Sequence, residues 1–227
     1  MKKIIYTAVI LLGSIGYLQA QPFRLGFDAG GGVSSLLMPN PSLTPFLTYR
    51  AGVFVAQLDS SGEYSEYGIA YRKAGARTTG LLEHYAGAAR NIELNIHYID
   101  VYHDWGVVRN TMTLFKTKAS FIHKSGFYVG YAFGGDGRIA YDTGAGALLE
   151  KEIGNIFQDE TFSHAGETYP FTGFKRWDYG LRFGTDILIN QFSIRLHTMW
   201  GLRNLHSGGL DKWVLNAALT VSVGYIL

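Results

Sequence analysis

The sequence predicts an all-β fold: a transmembrane, antiparallel, up-and-down β-barrel of about eight strands, with ten as the other count, behind a cleavable signal peptide. Three observations predict it. Apolar residues alternate at the period of a strand along nearly the whole chain after residue 20. Glycine is abundant (29) and aromatics make up 15 %, while cysteine is absent, a composition commoner in β-barrels than in cytosolic enzymes. The large apolar residues share one strand face, and small or charged residues share the other. A soluble sandwich or a lipocalin-like barrel puts its bulk inside and its charges outside, so this polarity is that of a barrel in lipid.

Residues 1–20 read as the signal. Lys2 and Lys3 precede the apolar run Ile4–Leu12, and Ala20 is a cleavage residue before Gln21. The run is shorter than the roughly 20 apolar residues that a spanning helix needs. Without the two lysines, basic and acidic residues balance, and nothing suggests the basic patch or stripe of a nucleic-acid binder. The lack of cysteine excludes disulfides, a thiolate zinc site, a cysteine nucleophile and a lipid-anchored lipoprotein. Residues 21–227 then form one barrel domain.

The first strand, FRLGFDAGGGV, sets Phe23, Leu25, Phe27, Ala29 and Val33 against Arg24 and Asp28. LTYRAGVFV sets Tyr49, Ala51, Val53 and Val55 against Arg50 and Gly52. EYGIAYRK sets Tyr67, Ile69 and Tyr71 against Gly68 and Arg72. HYIDVYHDWGV sets Ile99, Val101, Trp105 and Val107 against Asp100 and Asp104, and GFYVGYAFG sets Phe127, Val129, Tyr131 and Phe133 against Gly130 and Ala132. FKRWDYGLRFGTDILINQFSIRLHTMWGL supplies two more strands around an Asn190-Gln191 turn. In it Asp178, Arg182, Asp186, Arg195 and His197 alternate with Trp177, Leu181, Phe183, Ile194 and Trp200. WVLNAALTVSVGYIL closes the set. Most of these runs reach the 9–11 residues of a tilted membrane strand. Trp105, Tyr141, Trp177, Trp200, Trp213 and Tyr225 sit near strand ends, where interfacial girdles lie.

Connections alternate in length. Residues 59–62 and 190–191 are short periplasmic turns; 34–44, 75–92, 135–173 and 204–212 are longer outer loops. Segment 109–120 is either a long periplasmic turn or part of a fourth strand shifted toward TMTLFKTKASF.

The polar face gives the expected lumen: Arg24, Arg50, Arg72, Arg182, Arg195 and Arg203 against Asp28, Asp100, Asp104, Asp178 and Asp186. Eight strands enclose only enough room for side chains. Charges there must pair to be tolerated. An interlocked salt-bridge plug and no conducting pore are therefore expected.

Little points to catalysis, and no cofactor is expected. His206 and Ser207 are adjacent, so on a strand they would face opposite ways, and a triad needs its members oriented in turn. Asp100 and Asp104 have arginine neighbours to explain them. His97 and His103 lie on the outward face, too far apart to share a metal. Gly30-Gly31-Gly32 lacks the lysine of a phosphate loop. The long loop at about 138–173 is acidic, and Glu150, Glu152, Asp159 and Glu160 are candidates for contacting a partner protein. Within it ALLEKEIGNIF places Leu148, Ile153 and Ile156 at helical spacing, which predicts a short amphipathic helix or lid.

The ordered segments FDAGGGVSSL, YRAGVFVAQL, GIAYRKAGAR, HYIDVY, GFYVGYAFGG, FKRWDYGLRFG and WGLRNL resemble the PorT-like outer-membrane β-barrel family of Bacteroidota. Tyr102 stands where that family usually has proline. The resemblance implies one barrel domain in the bacterial outer membrane. It also implies a non-enzymatic, structural or accessory protein, in contact with lipid and with another outer-membrane or secretion-system protein. The other reading is a barrel enzyme acting on outer-membrane lipid or peptide. Tyr225 and Leu227, on the apolar face of the last strand, resemble the signal read by barrel-insertion machinery, with leucine in place of the usual terminal aromatic.

Overall fold

The computed structural model describes residues 23–37, 42–79, 89–114, 117–142, 148–164, 167–205 and 214–227. The expected signal peptide, Trp213 and the His206-Ser207 pair lie outside the described residues. Twelve strands occur in them: β1 (Arg24–Leu37), β2 (Ser42–Thr44), β3 (Phe46–Leu58), β4 (Glu63–Thr79), β5 (Ala89–Leu114), β6 (Thr117–Asp142), β7 (Leu148–Ile153), β8 (Glu160–His164), β9 (Glu167–Phe171), β10 (Trp177–Ile189), β11 (Phe192–Gly201) and β12 (Leu215–Ile226).

Eight of them form a closed antiparallel ring. The order is β10-β11-β12-β1-β3-β4-β5-β6, and β6 returns to β10 from Tyr131↔Trp177 to Ala119↔Ile189. Consecutive ring strands are neighbours throughout, so the topology is up-and-down. Closure leaves no edge along the wall, and the ladders run strand to strand all the way round, with register shifts at His97/Tyr98 and Val108/Asn110 between β5 and β6. The remaining strands are additions at one end: β2 pairs β4, β7 pairs β6, and β8 pairs β9 in a separate hairpin.

Short turns gather at one end with both strand termini, and long connections gather at the other. At the turn end Ile189 pairs Phe192 across Asn190-Gln191, and Asn190 supplies the left-handed backbone (φ 53°) that so tight a reversal requires. The β3–β4 turn is held by Asp59. Its carboxylate accepts from the Ser61 hydroxyl (2.6 Å) and the Glu63 N–H (2.8 Å).

Outward residues form an apolar belt around the ring. Phe27, Val101, Phe127, Ile194 and Val223 are each about half exposed, although their strands are fully paired. Trp105, Trp177 and Trp200 are exposed toward the ends of their runs. Inward residues are buried at every second position, as in β11, where Ser193, Arg195, His197 and Met199 point in.

β5 and β6, each 26 residues long, revise two expectations. Segment 109–120 is no long turn. The strands stay paired to Leu114↔Thr117, so the hairpin extends past the ring at the turn end. At the other end β6 runs on to Asp142 and β7 pairs with it. The amphipathic helix expected over 147–157 is therefore a strand followed by a turn. The free edge of β6 captures Leu148–Ile153, and Ile153 and Ile156 still bury themselves, now over the barrel mouth.

Polarity inverts along β5. Tyr98, Asp100, Tyr102 and Asp104 point inward beneath an outward face of Ile99, Val101 and Trp105. Beyond a register shift at His97/Tyr98 the inward residues become Ile92, Leu94 and Ile96, and the outward ones become Glu93, Asn95 and His97. That upper inner surface forms one apolar core with Leu36, Ala74, Ile139, Ile153, Ile156, Phe171, Phe174, Leu205 and Val214. The backbone links Ala132 N–H to Arg176 O (2.7 Å), Phe174 N–H to Ile156 O (2.8 Å) and Lys175 N–H to Leu205 O (2.7 Å) tie the long connections across the mouth.

Candidate functional site

Beneath that cap the lumen is filled by charge. All eight ring strands contribute buried polar groups. Asp28 comes from β1, Arg50 from β3, Glu66 and Arg72 from β4, Asp100 and Asp104 from β5, and Lys124 from β6. Asp178, Arg182 and Asp186 come from β10, Arg195 and His197 from β11, and Asn216 and Thr220 from β12.

Arg195 is the hub. It binds Asp28 (2.6 Å) and Asp186 (3.0 Å), and reaches Glu66 on β4, the strand opposite it in the ring. Lys124 bridges Asp186 (2.7 Å) and Glu66 (3.2 Å). Arg50 shares Asp28 (3.1 Å), and Arg182 takes Asp104 (3.1 Å). Toward the loop end Arg72 forks onto Asp100 (2.6 and 3.1 Å) and lies 3.5 Å from Asp178. Asp178 also accepts from Tyr128 Oη and Asn216 Nδ2, both at 2.9 Å.

Aromatic rings complete the plug. Arg182 lies 3.7 Å over Tyr102, Arg195 4.2 Å over Phe54 and Arg72 4.4 Å over Tyr98, and each guanidinium has its open face covered. Gly68 makes this possible in β4, because a Cβ there would fall on the Tyr102 ring. His197 is placed by its neighbours. Its Nδ1 faces two guanidinium donors, Arg50 (3.5 Å) and Arg182 (3.4 Å), so it must present a lone pair, and its Nε2 lies 3.2 Å from Asp186.

The structure thus brings together Asp28, Arg50, Arg72, Asp100, Asp104, Asp178, Arg182, Asp186 and Arg195. Two expected members are corrections. Arg24 has the inward phase, but it opens β1 at the rim and is exposed. Arg203 follows the end of β11, where alternation stops, and sits 6.0 Å from the Tyr179 ring. Glu66 and Lys124 are central members that the reading of the polar face left out. Their signal is strand phase: Glu66 is six residues from Arg72, and Lys124 is four from Tyr128, on the same inward face.

The acidic outer-loop residues do not form one cluster. Glu150 and Glu152 are exposed on β7, and Glu152 faces Arg138 (3.3 Å). Asp159 closes its own loop by accepting from Gly173 N–H (2.7 Å), and Glu160 opens β8. Among the described residues no group of three His, Cys, Asp or Glu side chains is arranged to hold a metal ion.

No family model and no curated protein sequence matches the chain. Solved structures that resemble it in outline are barrels of low identity. Neisserial surface protein A has 10 % identity and a TM-score of 0.41, over 89 % of this chain and 96 % of that one. Ail, the attachment invasion locus protein of Yersinia pestis, has 12 % identity and a TM-score of 0.35, over 90 % and 98 %. The transport unit of the autotransporter AIDA-I from Escherichia coli has 9 % identity and a TM-score of 0.21, over 97 % of each chain. The ring and its belt stand on strand register and exposure, independently of these likenesses.

Proposed function

We propose that this chain is a non-enzymatic outer-membrane barrel that does not conduct and that works through its surfaces. The observation that carries the reading is the radial order of the wall: an apolar belt outside, strands fully paired, and a charge network sealed inside. A continuous exposed belt of this kind needs a covering, and hydrocarbon supplies one for a closed barrel, whose backbone is already satisfied. The short-turn end is then periplasmic, and the capped end faces outward.

Two features favour a closed interior over a channel. The ion pairs cross the ring from strand to strand, and the apolar cap packs above them. What remains for interaction is the outer face of β4–β7, with its Arg77–Glu93 and Arg138–Glu152 pairs, and the β8–β9 hairpin. An accessory role beside a protein-secretion assembly is the finer form of this reading. It rests on the PorT-like resemblance of the strand segments.

Brominated-lipid quenching tests the membrane part. Reconstituted in vesicles of brominated phosphatidylcholine, the protein should lose tryptophan emission through Trp105, Trp177 and Trp200. Emission equal to that in unbrominated vesicles would refute the lipid-facing belt. Crosslinking in native outer membranes tests the accessory part, comparing the intact chain with one whose residues 161–170 are replaced by a short Gly-Ser link. A secretion-assembly protein lost with the hairpin supports the finer reading, and identical capture excludes the hairpin as its contact.

A further inference from the structure

The belt is not uniform. On the β1–β3–β4 face, Ala29 and Ala51 pair side by side, with Gly31 next on β1, while Phe27, Val53 and Tyr49 around them carry bulk. Their small side chains leave an open groove of about 460 Å³, walled by Phe27, Val53 and Ile69. Directly loopward, the register sets Tyr49 opposite Lys73 and Lys73 opposite His97. Tyr71 Oη lies 2.7 Å from His97 Nδ1 and 3.4 Å from Tyr49 Oη. The Lys73 ammonium sits 5.3 Å from the Phe46 ring and 5.7 Å from the Tyr49 ring.

Lys73 differs from the outward arginines nearer the loops on β4 and β6. Arg77 is spent on Glu93 and Arg138 on Glu152, whereas among the described residues Lys73 makes no ion pair. A lysine at the top of an apolar belt, framed by aromatic rings, extends its stem over the rings and offers its charge at the headgroup level. The Tyr49 hydroxyl, which accepts from Tyr71, keeps its own hydrogen as a directional donor beside it.

We infer that this face holds one anionic lipid, with an acyl chain in the Ala29–Ala51 groove and its phosphate against Lys73 and the Tyr49 hydroxyl. The inference rests on the membrane reading above. It commits to a phosphate-bearing lipid rather than free phosphate, because groove and cation adjoin. A soluble anion would use the cation alone.

Native mass spectrometry of the full barrel, released from vesicles of phosphatidylcholine with one-tenth phosphatidic acid, tests it. The wild type should retain one phosphatidic acid, and retain it in preference to diacylglycerol of the same chains. Lys73→Gln should weaken that binding roughly tenfold, about the worth of one charge-assisted contact, and Lys73→Arg should keep most of it. Ala51→Phe, which fills the groove from the lipid side, should weaken lipid binding while sparing the cation. All three substitutions lie on the outer surface, so the fast gel mobility of the folded barrel should persist. Equal retention by Lys73→Gln and wild type would overturn the site. So would equal retention of diacylglycerol and phosphatidic acid, or inorganic phosphate bound as well as the lipid. Insertion into pure phosphatidylcholine vesicles is scored in parallel. Failure to insert refutes the membrane reading itself, whereas insertion without selectivity refutes only this site.

Discussion

Arg195→Met removes the cation that holds the lumen together. The side chain is 1 % exposed and faces the carboxylates of Asp28, Glu66 and Asp186. None is left wholly alone by its loss. Asp28 keeps Arg50 at 3.1 Å, while Asp186 and Glu66 keep Lys124 at 2.7 and 3.2 Å. The expected cost is therefore that of breaking one buried pair, about 3–5 kcal/mol, rather than three times that. Methionine matches much of the stem's volume, so little of the loss should come from a cavity. Guanidinium unfolding in phosphatidylcholine vesicles, followed by tryptophan emission and by gel mobility, measures it. Adding Glu66→Gln removes one of the carboxylates that has lost a partner and should recover part of the loss, since the two side chains are in contact and cannot be additive. A loss below about 1 kcal/mol, the worth of an exposed pair, would refute a dry, mutually dependent network. So would simple additivity of the two substitutions.

Gly68→Ala puts a methyl group onto the Tyr102 ring, which Arg182 and Glu66 hold in place, and should cost about 1–3 kcal/mol in the same assay, as overpacking does. Replacing residues 113–118 by Asn-Gly shortens the β5–β6 hairpin beyond the ring and should leave stability within about 1 kcal/mol, because surface changes away from packed features are usually small. Asp59 holds the β3–β4 turn through donors from Ser61 and Glu63, and these hold its carboxyl below the usual carboxylate range. Its contribution is then complete above the ordinary unfolded carboxyl value and lost as pH falls through the depressed folded one. Hydrogen exchange at the Glu63 amide should accelerate on acidification across that window, relative to the intrinsic rate, and Asp59→Asn should remove the dependence. A wild-type profile that matches the variant would remove the carboxylate from the turn.

Alternation makes most of the wall legible in the sequence. Once a strand's phase is known, side chains two apart share a face, and Asp100 and Asp104 or Arg182 and Asp186 fall inward together. Where sequence reasoning failed, phase was not at fault; strand ends and context were. Arg24 and Arg203 keep or extend an inward phase, but Arg24 opens its strand at the exposed rim and Arg203 follows the end of its strand, so phase alone does not place them in the lumen. Glu66 and Lys124 were missed for the opposite reason, lying at or just before the first residue of the strand read around them. The outer half of β5 alternates as clearly as the inner half, yet its apolar residues point inward. A rule written for lipid-facing strands hides that segment, and the cap over the mouth makes sense of it. The expected helix over 147–157 lost to a pairing partner far along the chain, the extended edge of β6. Local spacing carries no trace of such a partner.

Planar-bilayer recording of the purified full-length barrel is the most direct test of a filled interior. With Arg195 crossing the ring below and the apolar cap above, inserted protein, confirmed by its folded gel mobility, should give no conductance steps. Reproducible single-channel steps from the wild type would contradict the sealed lumen, and with it the reading of this barrel as a surface-working protein.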